Sequence, residues 1–149
     1  MAAWEHIPYF AYGHNTNIEE MHRRIPEATL FGHADLPNYR YELRHVSNIV
    51  PDDGSVVHGV LWKIPVAKLD DLDWNEAYHR NYKHSVIEVV HQGRLFRALT
   101  YVLLKQYRNE RLPTVQYVDW VAQGYRENDI PLSQLTQALD HALAKKKGR

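Results

Sequence analysis

Strand-like runs fill much of the first hundred residues of this 149-residue chain, and apolar positions repeat at helical spacing in its last third. That order, strands first and helices last, restricts the fold more than any other feature of the sequence. It indicates an α+β fold with a mixed or largely antiparallel sheet. Six or so short strands are enough to close a small mixed β-barrel with flanking helices. Residues 1–149 suit one domain with a single core.

Residues 7–12 read as the first strand, with Pro8 tolerable near its beginning. Thr16 and Glu19 have the spacing of a capping box, which predicts a helix start, and Pro26 limits that helix. Strand-like runs follow at residues 28–36, 39–46 and 55–64, the last of them after a turn at "PDDG". Pro65 opens a short helix over residues 66–77. "YKHSVIEVV" and "RLFRALTYVLL" read as a hairpin across "HQG". Its second arm puts Leu95, Arg97, Leu99, Tyr101 and Leu103 on one half-buried face. Val115, Val118, Val121 and Tyr125, then Leu132, Leu135, Leu139 and Leu143, mark two helices.

Composition removes several classes of function. Lys and Arg equal Asp and Glu at 18 each, whereas a dedicated nucleic-acid binder carries a basic excess to neutralise phosphates. The terminal "AKKKGR" reads as a solvated tail. Without cysteine there is no disulfide, no thiolate catalysis and no Cys-based zinc site. The start "MAAWEHIPYF" lacks the basic and apolar regions of a signal peptide, and no apolar run approaches the roughly 20 residues of a membrane span. A cytoplasmic protein with no nucleic-acid or membrane partner is expected. The four tryptophans, Trp4, Trp62, Trp74 and Trp120, read as core or rim packing.

Two stretches invite a chemical reading. "YFAYGHNTN", residues 9–17, is a strand that stops at Gly13 before a capped helix. Such a turn exposes unpaired backbone N–H groups that suit a carboxylate or a developing oxyanion, and glycine lets a ligand approach the backbone closely. The plainer reading is a strand-to-helix turn with Asn and Thr serving as caps. "LDDLDWNEAYHRNYKH", residues 69–84, gathers Asp70, Asp71, Asp73 and Glu76. Early acidic residues complement a helix dipole. Glu76 is flanked by Trp74, Tyr78 and Tyr82, surroundings that desolvate a carboxylate and raise its pKa toward the range of a general base. On spacing alone the plainer reading, a solvated side chain, is favoured. The ten histidines contain no HxxxH or HExxH pair, and His79 with His84 is the nearest spacing. Asp70, Asp71 and His79 form no defined set, so neither a metal nor a cofactor is expected.

Four segments in order resemble the γ-glutamylcyclotransferase-like family. "YFAYGHNTN" is similar to its Y-F-A-Y-G-S-N opening. "SVVHGVLWKIPVAKLDDLD" is similar to its W/V-x-G-x-x-W/Y segment and the Leu-Asp approach that follows. "LDWNEAYHRNY" is similar to L-D-x-x-E-G-Y-x-x-x-Y, and "VQYVDWVAQGYRENDIPLSQL" to its Q-Y…G-A-x-E-N-G-L-P segment. The resemblance implies a small mixed barrel with one cavity at the loop after the first strand. It also implies cleavage of γ-glutamyl amides to 5-oxoproline by attack of the substrate's own α-amine. Glu76 would be the catalytic acid/base, and Tyr9, Phe10, Ala11, Tyr12, Gly13, His14 and Asn15 the substrate loop. Tyr117 would line the pocket, and Tyr82 and Tyr101 would orient substrate or glutamate. The partner implied is a small γ-glutamyl molecule, with a homodimer expected by resemblance only.

Two departures stand out. His14 replaces the family's serine, and Ala77 replaces the glycine after its glutamate. Three roles are open to His14: narrowing the pocket, contacting the leaving amine, or joining proton transfer. His14 motivates an alternative, the same pocket used for hydrolysis or acyl transfer on a specialised-metabolite intermediate. A non-catalytic ligand-binding relative is a third reading.

Overall fold

The structure is a computed structural model and describes residues 5–75 and 81–147. Five strands, β1 (His6–Ala11), β2 (Thr29–Leu43), β3 (Ser47–Pro65), β4 (Tyr82–His91) and β5 (Arg94–Leu103), close a barrel in the order β1-β3-β2-β4-β5. Neighbours pair antiparallel except β1 and β5, which run parallel and close the ring at Tyr9 and Leu99. The described helices are α1 (Ile18–Arg24), α2 (Leu69–Asn75), α3 (Val115–Glu127) and α4 (Leu132–Lys147). The fold is therefore the α+β mixed barrel that the element order indicated. None of the described helices is long and apolar enough to cross a membrane.

The barrel has fewer and longer strands than the sequence suggests. Residues 28–36 and 39–46 are not two strands, and "PDDG" is not a reversal. β2 and β3 form one long hairpin whose tip lies at residues 44–46, where the Arg44 N–H donates to the Val46 carbonyl at 2.9 Å. Pro51 pairs with Tyr39 inside the ladder, beside a register shift between Pro37 and Tyr39. Asn38 and Gly54 take positive φ there, and the Gly54 N–H donates to Asn38 Oδ1 at 3.1 Å. The turn chemistry is present, but it bends two paired strands instead of reversing one.

Other boundaries shift for local reasons. Asn17, not Thr16, caps α1, accepting the Glu20 N–H at 3.0 Å. The Thr16 hydroxyl is already committed to the Gly13 carbonyl at 2.6 Å, within a 3₁₀ turn over His14–Thr16. On β5, Tyr101 and Leu103 are buried as expected, but Leu95 and Arg97 are exposed while Ala98 and Thr100 on the other face are buried. The hairpin end is open to solvent, whereas both faces are covered near the closure with β1. Trp62 is core, Trp74 is 77% exposed, and Trp4 lies outside the described residues. Val115, Leu132 and Leu143 are exposed, so the buried stripe is Val121 and Tyr125 on α3 and Leu135 on α4. Lys145, Lys146 and Lys147 continue α4 and do not form a tail.

Two contacts fix what surrounds the turn after β1. Glu42 receives hydrogen bonds from Arg44, Arg108 and Asn48. Burial pushes its carboxyl up, but these donors outweigh burial and hold the pKa at about 2. That ties the segment after β5 to the hairpin tip. Gly124 on α3 packs directly on the turn, where an added Cβ would meet Thr16 Oγ1 at 2.2 Å and the Asn17 nitrogen at 2.5 Å. Gly124→Ala is expected to destabilise the protein by about 1–3 kcal/mol, as overpacking against fixed backbone does. Urea unfolding measures it, and an unchanged midpoint would show that α3 does not need this close approach.

Candidate active site

β1 ends at Ala11 and the chain turns at Gly13. An added Cβ at Gly13 would lie 2.7 Å from Ser47 Oγ and 3.0 Å from the Tyr117 hydroxyl, so the turn can approach the start of β3 only with glycine. Among the described residues, no group accepts the N–H of Gly13 or His14, whereas those of Thr16 and Asn17 donate to the Gly13 and His14 carbonyls at 3.1 Å. The turn therefore presents backbone donors, as a short strand-to-helix corner does.

A cavity of about 390 Å³ opens beside it. Of the residues named from sequence, Tyr9, Tyr12, Gly13, His14, Tyr82, Tyr101 and Tyr117 line it. Phe10 and Ala11 are buried in the core instead. Asn15 is buried behind the wall, where its side chain donates to the Tyr9 hydroxyl at 3.1 Å and its Oδ1 accepts from Arg24 at 2.8 Å. Glu76 and Ala77 lie outside the described residues, as do Tyr78 and His79. Asn75 and Asn81, the described residues on either side of that segment, both line the cavity. A larger cavity, about 740 Å³, runs between the β2–β3 hairpin, residues 108–111 and α4, and holds none of the residues named from sequence.

Ser47 organises one wall. Its N–H donates to the Tyr117 hydroxyl at 2.9 Å, its Oγ contacts Tyr117 at 3.1 Å and Tyr41 at 2.6 Å, and its carbonyl accepts from Tyr82 at 2.9 Å. Asp73 organises another, with Oδ1 accepting from the Tyr101 hydroxyl and from His84 at 2.7 Å. In the sequence Asp73 looks like a dipole-complementing helix residue. In the fold it fastens α2 to β4 and β5 immediately before the glutamate motif.

His14 is held on every side. Arg24 Nη2 lies 2.8 Å from Nδ1, and because arginine only donates, Nδ1 must accept. The proton therefore sits on Nε2, which donates to Glu20 Oε1 at 2.9 Å. The ring stacks on Trp120 with centroids 4.5 Å apart. Burial, then the Arg24 charge, hold its pKa below the ordinary 6.5 against the pull of Glu20. With both nitrogens engaged and its pKa lowered, His14 forms a neutral wall of the turn.

Sequence reasoning missed Ser47, Arg24 and His45. No described carboxylate pairs with Arg24, which lines the cavity. His45 also lines it, and its buried Nδ1 has no hydrogen-bond partner among the described residues. None carries a local signature, and Ser47 acquires its place through Tyr82 and Tyr117, which are distant in sequence.

A family model described as "Gamma-glutamyl cyclotransferase, AIG2-like" matches residues 9–122. Gamma-glutamylcyclotransferase of Homo sapiens is 29% identical over 143 residues, spanning 86% of this chain and 74% of that protein. The Bos taurus protein of the same name is 27% identical over 141 residues, with the same coverage. A solved structure titled "Gamma-glutamyl cyclotransferase" superposes with a TM-score of 0.78 at 25% identity, covering 90% of this chain and 86% of that one. YkqA from Bacillus subtilis superposes at 0.74 with 21% identity over 93% of this chain and 56% of its own, a likeness of fold alone.

The neutral His14 has a measurable consequence. Its folded pKa lies below the unfolded value, so the stability it contributes is complete above about pH 6.5 and is lost as pH falls through the folded pKa. Burial, Arg24 and Arg23 all lower that pKa, so Arg24→Gln removes one of three causes and is expected to raise the His14 pKa in an NMR titration of its ring. A His14 pKa no higher in the variant would contradict the Arg24 contact.

Proposed function

Because the chain belongs to the Gamma-glutamyl cyclotransferase, AIG2-like family, we propose that its cavity binds a γ-glutamyl amide and cyclises it. The α-amine of the γ-glutamyl group attacks its own γ-carbonyl carbon, and the C–N bond to the departing amine breaks. The products are 5-oxoproline and a free amine or amino acid, and no water is consumed. Holding the reacting nitrogen against the carbonyl makes the step unimolecular, which is where much of such a rate comes from.

The observation that carries this reading is the turn itself. The Gly13 and His14 N–H groups face no described acceptor, and Arg24, without a carboxylate partner among the described residues, lines the same cavity. Together they suit the carboxylate of a γ-glutamyl group, and the N–H pair suits charge developing on the reacting oxygen. Tyr9, Tyr12, Tyr82, Tyr101 and Tyr117 supply neutral phenols around it. Glu76 takes a proton from the α-ammonium and returns one to the leaving nitrogen. That role rests on its place in the matching motif, and on Asn75 beside it lining the cavity. With His14 committed to Arg24 and Glu20, nothing favours hydrolysis or acyl transfer over cyclisation.

The test is incubation with a panel of γ-glutamyl dipeptides and γ-glutamyl amines, with products identified by mass spectrometry. The expected result is 5-oxoproline, with kcat for Glu76→Gln lower by at least about a hundredfold, the usual scale for a lost general acid/base. Free glutamate without 5-oxoproline, or an undiminished Glu76→Gln, would overturn the reading.

A further inference from the structure

We propose that His33, Asp35 and His58 form a binding site for a divalent transition-metal ion on the β2–β3 hairpin, separate from the cavity at the turn. The three residues offer ligand atoms that all lie within 4.8 Å of one another. None of them lines the cavity at the turn.

The sheet builds this cluster. His33 and Asp35 are two apart on β2 and so project to the same face. Asp35 is directly opposite His58 in the β2–β3 ladder. Both imidazoles point one nitrogen at the same carboxylate oxygen: His33 Nε2 is 2.7 Å and His58 Nδ1 2.6 Å from Asp35 Oδ1. All three side chains are partly exposed, at 33%, 44% and 31%, so an ion can reach them from solvent.

The surroundings hold the ligands in this arrangement. The other ring nitrogen of His33, Nδ1, lies 3.2 Å from the Asp129 carbonyl. Donation of Nδ1–H to a carbonyl leaves Nε2 as the coordinating atom, which is how metal-binding histidines are commonly oriented. The backbone of His58 is gripped on both sides by Gln134 of α4: its N–H donates to Oε1 and its carbonyl accepts from Nε2, each at 2.8 Å. A plain surface ion pair contributes little and needs no such second layer.

Two imidazoles and one carboxylate suit zinc, cobalt, nickel or copper better than magnesium or calcium. Three protein ligands leave further positions for water. A metal bound at about 2.0–2.1 Å from each nitrogen sets neighbouring ligand atoms roughly 3.3 Å apart in a tetrahedron. The two separations from Asp35 need to open by roughly 0.6–0.7 Å as the ion replaces the hydrogens between rings and carboxylate. Rotation of the side chains supplies that without moving the ladder.

The experiment uses untagged, chelator-treated protein. Zinc binding is measured by calorimetry, and cobalt binding by its visible spectrum. The expected result is one ion per chain and a rise in melting temperature on loading. The affinity is expected to fall at least about tenfold in His33→Ala and in Asp35→Asn, and to stay unchanged in His141→Ala on α4. Should a variant fail to fold, NMR of the wild type decides, since zinc must move the ring signals of His33 and His58. No stoichiometric binding by the wild type, binding that survives in His33→Ala, or unmoved His33 and His58 signals would overturn the site and leave an ordinary ion-pair cluster.

Discussion

When β1 leaves the sheet its carbonyls lose their ladder partners, and the fold closes around that problem. The Phe10 carbonyl accepts from Thr100 of β5 at 2.8 Å, and that of Tyr12 from Tyr125 of α3 at 2.7 Å. The Gly13 carbonyl is taken by Thr16, that of Asn15 by the Trp62 indole of β3 at 2.9 Å, and that of Thr16 by Asn128 at 2.9 Å. A buried acceptor without a donor costs about 1–3 kcal/mol, so the turn can be buried only if strands β3 and β5 and helix α3 all reach it. The carbonyls are satisfied from within the fold, while the N–H groups of Gly13 and His14, residues that line the cavity, have no acceptor among the described residues.

The electrostatics follow from the same burial. Tyr41 and Tyr125 are wholly buried, and burial pushes both phenols well above their usual range, so they stay neutral. His14 is kept neutral by burial and Arg24. Arg24, hydrogen-bonded to Asn15 and His14, has no carboxylate partner among the described residues and lies behind a turn that offers N–H donors. An anionic end of a small molecule meets complementary charge there, and the phenols beside it can hydrogen-bond its uncharged part. Replacing the family's serine by His14 therefore alters the support of the turn, through Trp120, Arg24 and Glu20, while the backbone donors stay in place.

The sequence pattern reveals the strand-then-helix order, the first strand and the "HQG" hairpin, because each rests on local periodicity or turn chemistry, whereas the four motif segments are legible only by their resemblance to a family. Gln92 and Gly93 take the positive φ that "HQG" announces. Asn38 and Gly54 take it too, yet the strands there bend without reversing, because left-handed residues mark where a strand can deform and not whether it reverses. The true reversal at residues 44–46 has neither Gly nor Pro. Ser47 acquires its place through Tyr82 and Tyr117, distant in sequence, and Arg24 and His45 carry no local signature. His33, Asp35 and His58 escape a search for helical histidine spacings because the cluster is strand-borne and needs the hairpin register to exist.

The proposed function requires the turn at Gly13, and not the larger cavity beside α4, to receive the γ-glutamyl group. Titration of isotope-labelled protein with 5-oxoproline, followed through backbone amide shifts, decides between them. The expected result is saturable movement of the Gly13 and His14 amides with Ser47 and Tyr117 alongside. Shifts confined to Arg44, Arg111, Gln137 and His141 would move the site to the other cavity and contradict the claim.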